Sequence, residues 1–247
     1  IPMEARALLL KSEQRKILID VGNGSDFVAK YGEKLGNKFA EMYGVDASGT
    51  SFLSSLKKYD LKPEDITDVI LTHLHFDHAG GATCERNGKI VPTFPNAKYY
   101  VQKSNYETAV NPNIREKASY LKANFEPLIE AGVLQFTNGD TQNFLPNISL
   151  IVANGHTQGH QVVHVHDNSQ QLFYCGDVIA TSSHIRSAWV MGYDLNPLVV
   201  IQEKAELLKK TESKKSYLFF EHDPYCDLST VEKNNDDYKA LERFHLT

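Results

Sequence analysis

Thr72-His73-Leu74-His75-Phe76-Asp77-His78-Ala79-Gly80-Gly81 follows directly on the apolar run Val69-Ile70-Leu71, so four residues able to bind a metal fall within six positions at a strand end. Alternation along the strand end turns His73 and His75 to the same side, and the following turn carries Asp77 and His78 back toward it. Desolvating that many polar groups without a cation is costly, so a metal is the economical occupant. Further ligand types follow other strand candidates: His156 in Asn154-Gly155-His156-Thr157, Asp177 in Cys175-Gly176-Asp177, His222 in Phe220-Glu221-His222-Asp223, and Asp20 after Lys16 to Ile19. Each alone reads as a turn or cap residue; together they predict a shared rim.

Apolar runs bounded by turn residues predict strands at 16–21, 68–72, 97–101, 148–152, 161–166, 171–174 and 217–220. Helical spacing marks 51–59, 106–128 and the stretch around Ile201, Ala205 and Leu208, with Asp194 and Pro197 as start signals. A polar C-terminal stretch follows the last predicted strand. Several strands are separated by turns alone, which predicts an α/β chain with mixed sheets flanked by helices rather than a purely parallel sheet. No repeat or Gly/Ser linker marks a boundary, so residues 1–247 are expected to form a single domain. His160, His164 and His166 alternate along one strand candidate and read as a polar sheet face. The segment from Gly24 to Ser51 either packs as helix or overhangs the rim. Its Phe27, Tyr31, Phe39 and Tyr43, with Phe76, Trp189 and Met191, read as core first and as an apolar pocket wall second.

Composition narrows the partners. Lys plus Arg is 26 against 31 Asp plus Glu, a net charge of -5, and no basic run offers a nucleic-acid footprint. Hydrophobic residues at 41% and charged residues at 23% suit a globular, soluble chain, and no apolar run approaches the roughly 20 residues that span a bilayer. Three cysteines, Cys84, Cys175 and Cys226, are too few for a disulfide framework and read as buried thiols. The expected partner is a small-molecule substrate, without nucleic acid or membrane, and a homodimer is the candidate assembly. A cytoplasmic location is favoured, with a removed leader and a periplasmic or secreted location as the alternative.

The His73-x-His75-x-Asp77-His78 motif, with the later His156, Asp177 and His222 and the early Ile19-Asp20-Val21-Gly22, resembles the metallo-β-lactamase-fold superfamily in order and spacing over nearly the whole chain. The resemblance implies an αββα sandwich with a dinuclear site at one edge of two mixed sheets. By it His73, His75 and His156 hold one metal, Asp77, His78 and His222 the other, and Asp177 bridges them, while Asp20 supports the loop after Thr72. The expected metals are two Zn2+, with Mn, Co or Fe as other divalent choices. Ala153-Asn154-Gly155-His156-Thr157-Gln158-Gly159-His160 and the 177–197 stretch are similar to the branch of N-acyl-homoserine-lactone lactonases and methyl-parathion-type hydrolases. Those lactonases carry a substrate-binding tyrosine three residues after the bridging aspartate. Ala180 stands there in this chain, and His184 or Tyr193 is the candidate replacement.

The chemistry so implied is a metal-dependent hydrolase. Two metals roughly 3.5–4 Å apart bridge a hydroxide that attacks a neutral ester or lactone, and Asp77 passes a proton to the leaving alkoxide. A quorum-quenching acyl-homoserine lactonase is one candidate within this class. The alternatives are a phosphotriester hydrolase and an iron-dependent persulfide dioxygenase on the same scaffold. A flavin-coupled di-iron enzyme is disfavoured by His75, where its relatives place a carboxylate, and a glyoxalase-type thioesterase by the lack of a cationic cluster. The absence of a Gly-x-Ser-x-Gly elbow argues against a covalent serine mechanism.

Overall fold

The computed structural model describes residues 2–45, 52–235 and 237–246. Residues 46–51, which close the Gly24–Ser51 segment and open the helix expected over 51–59, lie outside the described residues. The chain forms two compact units, one of Ala7–Thr137 and one of Ile1–Arg6 with Asn138–Thr247.

The Ala7–Thr137 unit is built on strands β1 (Leu8–Lys11), β2 (Lys16–Ile19), β3 (Asp68–Ile70), β6 (Lys98–Gln102) and β7 (Leu134–Thr137), and β4 (Thr83–Arg86) pairs with β5 (Lys89–Pro92) as a separate hairpin. The sheet order is β1-β2-β3-β6-β7; only β1 runs antiparallel to its neighbour. Leu18, Val69, Leu71, Tyr99 and Val101 are buried with Phe94, Phe125 and Leu128 in one core, the near-continuous apolar pattern of strands covered on both faces. Helix α1 (Phe27–Tyr43) fills most of the Gly24–Ser51 segment and buries Phe27, Lys30 and Phe39; it breaks at Gly32, whose φ of 78° suits glycine. Helix α2 (Phe52–Lys57) and the single turn α3 (Phe76–Ala79) follow. The helix expected over 106–128 is instead two short ones, α4 (Lys103–Val110) and α5 (Glu126–Glu130). Asn111-Pro112 stops the first, since proline biases the residue before it away from helix.

The other unit carries a seven-stranded sheet in the order β14-β13-β12-β11-β10-β9-β8. Its strands are β8 (Thr141–Leu145), β9 (Ile148–Ala153), β10 (His160–His166), β11 (Gln170–Tyr174), β12 (Lys215–Phe219), β13 (Leu228–Asn234) and β14 (Asp237–Phe244), with helix α6 (Pro197–Lys210) between β11 and β12. Only β11 and β12 are parallel. Val162, Phe173, Leu218 and Phe220 pack with Leu207 and Leu208 of α6. The polar C-terminal stretch, for which no strand was expected, is the β13–β14 edge hairpin. Its outer half carries exposed charged side chains, which blunt an open edge and hide the strand period.

All seven strands expected from the sequence form, and both sheets are mixed, as expected of the α/β class. No helix among the described residues is long and apolar enough to cross a membrane.

Candidate metal-binding site

In the Ala7–Thr137 unit the ligand loop is held from beneath by Asp20. Its Oδ1 accepts the Thr72 N–H at 2.7 Å, and its Oδ2 accepts the Thr72 hydroxyl at 2.7 Å and faces His78 Nδ1 at 3.0 Å. Asp20, Thr72, His73 and His78 are fully buried. The Thr72 proton is given to Asp20, so the same hydroxyl accepts from His73 Nδ1, 3.0 Å away. In both His73 and His78 the Nδ1 thus carries the proton and Nε2 is the basic nitrogen. His73 Nε2 meets His75 Nδ1 at 2.9 Å. His75 packs on the Tyr120 ring at 4.6 Å, and Asp77, with its side chain 30% exposed, lies 3.9 Å from His78 Nε2.

Glycine makes this loop possible. A Cβ on Gly80 would lie 2.1 Å from the Asn23 carbonyl oxygen, and one on Gly81 2.2 Å from that of Val21. The backbone after His78 therefore runs against the turn that carries Asp20, tied by Val21 N–H to the His78 carbonyl and Gly81 N–H to the Gly22 carbonyl. Buried Lys30 of α1 donates to the Gly80 and Thr83 carbonyls from the other side.

In the Asn138–Thr247 unit three ligand types meet directly. The two Asp177 carboxylate oxygens each face a histidine Nε2 at 3.0 Å, Oδ2 that of His156 and Oδ1 that of His222. All three residues are buried. His156 Nδ1 is held by Asp194 Oδ1 at 2.9 Å and His222 Nδ1 by the Glu4 carbonyl at 2.6 Å. Burial alone would push the His156 pKa down; Asp177 and Asp194 overcome it and hold it up to about 9. The His156 turn is gripped by α6: Glu203 accepts the Asn154 and Gly155 N–H groups at 2.5 and 3.0 Å, and a Cβ on Gly155 would lie 2.4 Å from Val200 N.

A family model described as metallo-beta-lactamase superfamily matches residues 2–222. The chain belongs to that superfamily. An N-acyl homoserine lactonase from Bacillus thuringiensis is 27% identical over 219 residues, covering 87% of this chain and 79% of that protein. The N-acyl homoserine lactonase AttM from Rhizobium radiobacter is 26% identical over 70% of this chain and 64% of its own. These relatives are metal-dependent hydrolases of the metallo-beta-lactamase superfamily. Among solved structures, a probable metal-dependent hydrolase from Staphylococcus aureus matches with a TM-score of 0.82 at 27% identity, covering 98% of this chain and 83% of that one. The dizinc quorum-quenching lactonase AidC has the same fold, with a TM-score of 0.74 over 99% of this chain and 81% of its own, at 24% identity.

Each unit of this superfamily member thus brings together residues of metal-ligand type: buried His73, His75 and His78 with the partly exposed Asp77 in one, and buried His156, Asp177 and His222 in the other. Imidazole nitrogens and carboxylate oxygens brought together at 2.9–3.0 Å, their far sides already engaged, are the donor set zinc accepts. His160 departs from its reading as sheet face. It is fully buried at the start of β10, and its Nε2 accepts the backbone N–H of Asp177 at 3.1 Å. His164, stacked on Phe173, bonds Gln171, and His166 bonds Ser149. Ala180 is buried and its carbonyl accepts the His222 N–H. Of the two candidate substrate contacts, His184 is half-buried with Nδ1 at 2.8 Å from the Thr181 hydroxyl, whereas Tyr193 is 74% exposed. Phe27 and Phe39 are core; Tyr43 and Phe76 extend that aromatic cluster outward, with ring centroids 4.5 Å apart. Asp194, Glu203 and the Glu4 carbonyl are supports that sequence reasoning missed. Asp194 read only as a helix start, and a main-chain carbonyl leaves no trace in the residue type.

Proposed function

We propose that this chain is a dinuclear zinc hydrolase of neutral lactones or esters, with N-acyl homoserine lactones as the first substrate class. The observation that carries the reading is the His156–Asp177–His222 trio, in which one buried carboxylate turns an oxygen toward each of two histidine Nε2 atoms, an arrangement that suits a carboxylate shared between two metals. His73, His75 and His156 would hold one metal and Asp77, His78 and His222 the other, with Asp177 common to both, and the family match across both units supports treating residues 1–247 as one functional domain. The lactonase activity of relatives 26–27% identical supports the substrate class.

When bound, such metals lower the pKa of a coordinated water toward about 7 and polarise the attacked carbonyl oxygen. The protein's share is orientation and proton handling. Asp20, Thr72, Asp194 and the Glu4 carbonyl hold the Nδ1 side of four histidines, so that each Nε2 is presented without a reorganisation cost. The partly exposed Asp77 carboxylate would take a proton from the attacking water and pass it to the departing alkoxide. His184 Nε2, its ring fixed through Nδ1, is the donor available to a substrate carbonyl in the absence of a tyrosine at position 180.

A panel of acyl lactones, aryl esters, phosphotriesters, glutathione thioesters and glutathione persulfide, run on zinc-loaded and iron-loaded protein, tests the reading. Zinc-dependent turnover of a lactone or aryl ester is expected. Turnover confined to the persulfide, with oxygen uptake and iron, would replace it with oxygen chemistry; preference for phosphotriesters would move the substrate class.

A further inference from the structure

Two adjacent residues of α6, of opposite charge, reach two different loops. Glu203 accepts the N–H groups of Asn154 and Gly155, next to His156. Lys204, fully buried, donates through Nζ to three main-chain carbonyls of the loop after Asp177: His184 at 3.0 Å, Arg186 at 2.8 Å and Trp189 at 2.6 Å. That loop is tied at both ends to the surroundings of the ligand trio. At its start the Ser182 N–H donates to Asp223, the residue after His222, at 2.7 Å. At its end Asp194, which holds His156, accepts the Met191 N–H at 2.9 Å. These two ties seat the loop beside the residues that flank the ligand trio.

A buried ammonium with three carbonyl partners is an expensive way to shape a turn. Burying the charge carries a desolvation penalty that the hydrogen bonds have to offset. An apolar residue would hold α6 against the core equally well, so packing alone does not account for a cation here. What the cation does is gather the three carbonyls of the 184–189 turn; in that turn His184 is half-buried, and Trp189 is 49% exposed with the Arg186 guanidinium 5.0 Å over its ring.

We propose that Lys204 is a positioning residue for substrate recognition: by gathering the His184, Arg186 and Trp189 carbonyls it presets the loop whose His184 and Trp189 side chains meet the substrate. This rests on the lactone or ester hydrolase reading above, and it assigns recognition to a residue that itself touches no substrate. The proposal separates the two neighbours. Glu203 serves the ligand turn and through it the metals, whereas Lys204 serves binding.

Trp189 is the single tryptophan of the chain, so its fluorescence reports this loop independently of any activity. The test uses full-length zinc-loaded protein, Lys204→Met and Lys204→Arg, with far-ultraviolet dichroism for folding and elemental analysis for zinc. In folded Lys204→Met, acrylamide quenching of Trp189 is expected to rise about twofold and KM for an N-acyl homoserine lactone to rise about tenfold, with kcat within about threefold and zinc unchanged. Lys204→Arg, which keeps the cation, should fall between it and the native protein, and if the methionine variant does not fold, Lys204→Gln takes its place with the same readouts. Unchanged quenching and KM, or a loss of kcat and zinc with KM unchanged, would overturn the proposal. If the native protein turns over no lactone or ester, the function reading fails, and the quenching result still decides whether Lys204 shapes the loop.

Discussion

His156 Nδ1 and Asp194 Oδ1 lie 2.9 Å apart, both buried, while the opposite edge of the same imidazole faces Asp177. A carboxylate so placed fixes the tautomer, making Nε2 the basic nitrogen, and it raises the basicity of the ring. Asp194 also accepts the Met191 N–H, so one carboxylate links the His156 turn to the end of the 182–191 loop.

Asp194→Asn should therefore weaken zinc binding by about 10–100-fold, as loss of a partner behind a ligating histidine does. Competition for zinc against a chromophoric chelator measures it. Native affinity in a folded Asp194→Asn protein would show that His156 needs no such support.

His160 sits one step behind Asp177, accepting its backbone N–H at 3.1 Å. Asp177→Ala removes the carboxylate between two histidines and should abolish turnover, by about 1,000-fold or more. His160→Ala, which loosens only the Asp177 backbone, should cost about 10–100-fold. Steady-state rates of matched, folded variants decide the order; equal losses would mean that His160 carries a role beyond the backbone of Asp177.

How much of this was legible beforehand follows from where the information lies along the chain. His73, His75, Asp77 and His78 crowd into one turn after an apolar strand, and His156, Asp177 and His222 each close a strand, so their residue types and positions betray them. Asp20 stood out by its place after β2, and its supporting role followed only from the superfamily resemblance. The supports of the second unit were not: Asp194 lies 38 positions from His156 and Glu4 lies 218 from His222, with no periodicity to connect them. His160 was misread because alternation along β10 predicts which side a residue faces and not whether that side is buried. The β13–β14 hairpin escaped for a related reason, since an edge strand with a charged outer half lacks the apolar alternation of a covered one.

Lys30 offers a measurement that involves no ligand. Burial pushes its pKa down to about 7 from 10.5, against the pull of Asp26. Between about pH 7 and 10.5 the unfolded chain holds a proton on this amine that the folded chain lacks, so the Lys30 contribution to stability rises with pH across that window, by up to about 1.4 kcal/mol per unit. Urea unfolding at a series of pH values should show this rise in the native protein and a flatter curve in Lys30→Met. Parallel curves would mean that the amine keeps its proton throughout, stabilised by the Gly80 and Thr83 carbonyls.

In the proposed function, seven residues of this metallo-beta-lactamase superfamily member serve two zinc ions that drive hydrolysis. Zinc per chain, determined by elemental analysis while the metal-free protein is titrated and assayed against a lactone substrate, tests it most directly. Activity should climb to a plateau at about two zinc per chain, since seven ligands exceed the usual four of one tetrahedral site, and chelation should abolish it. A plateau at one metal per chain, or full activity without metal, would contradict the account.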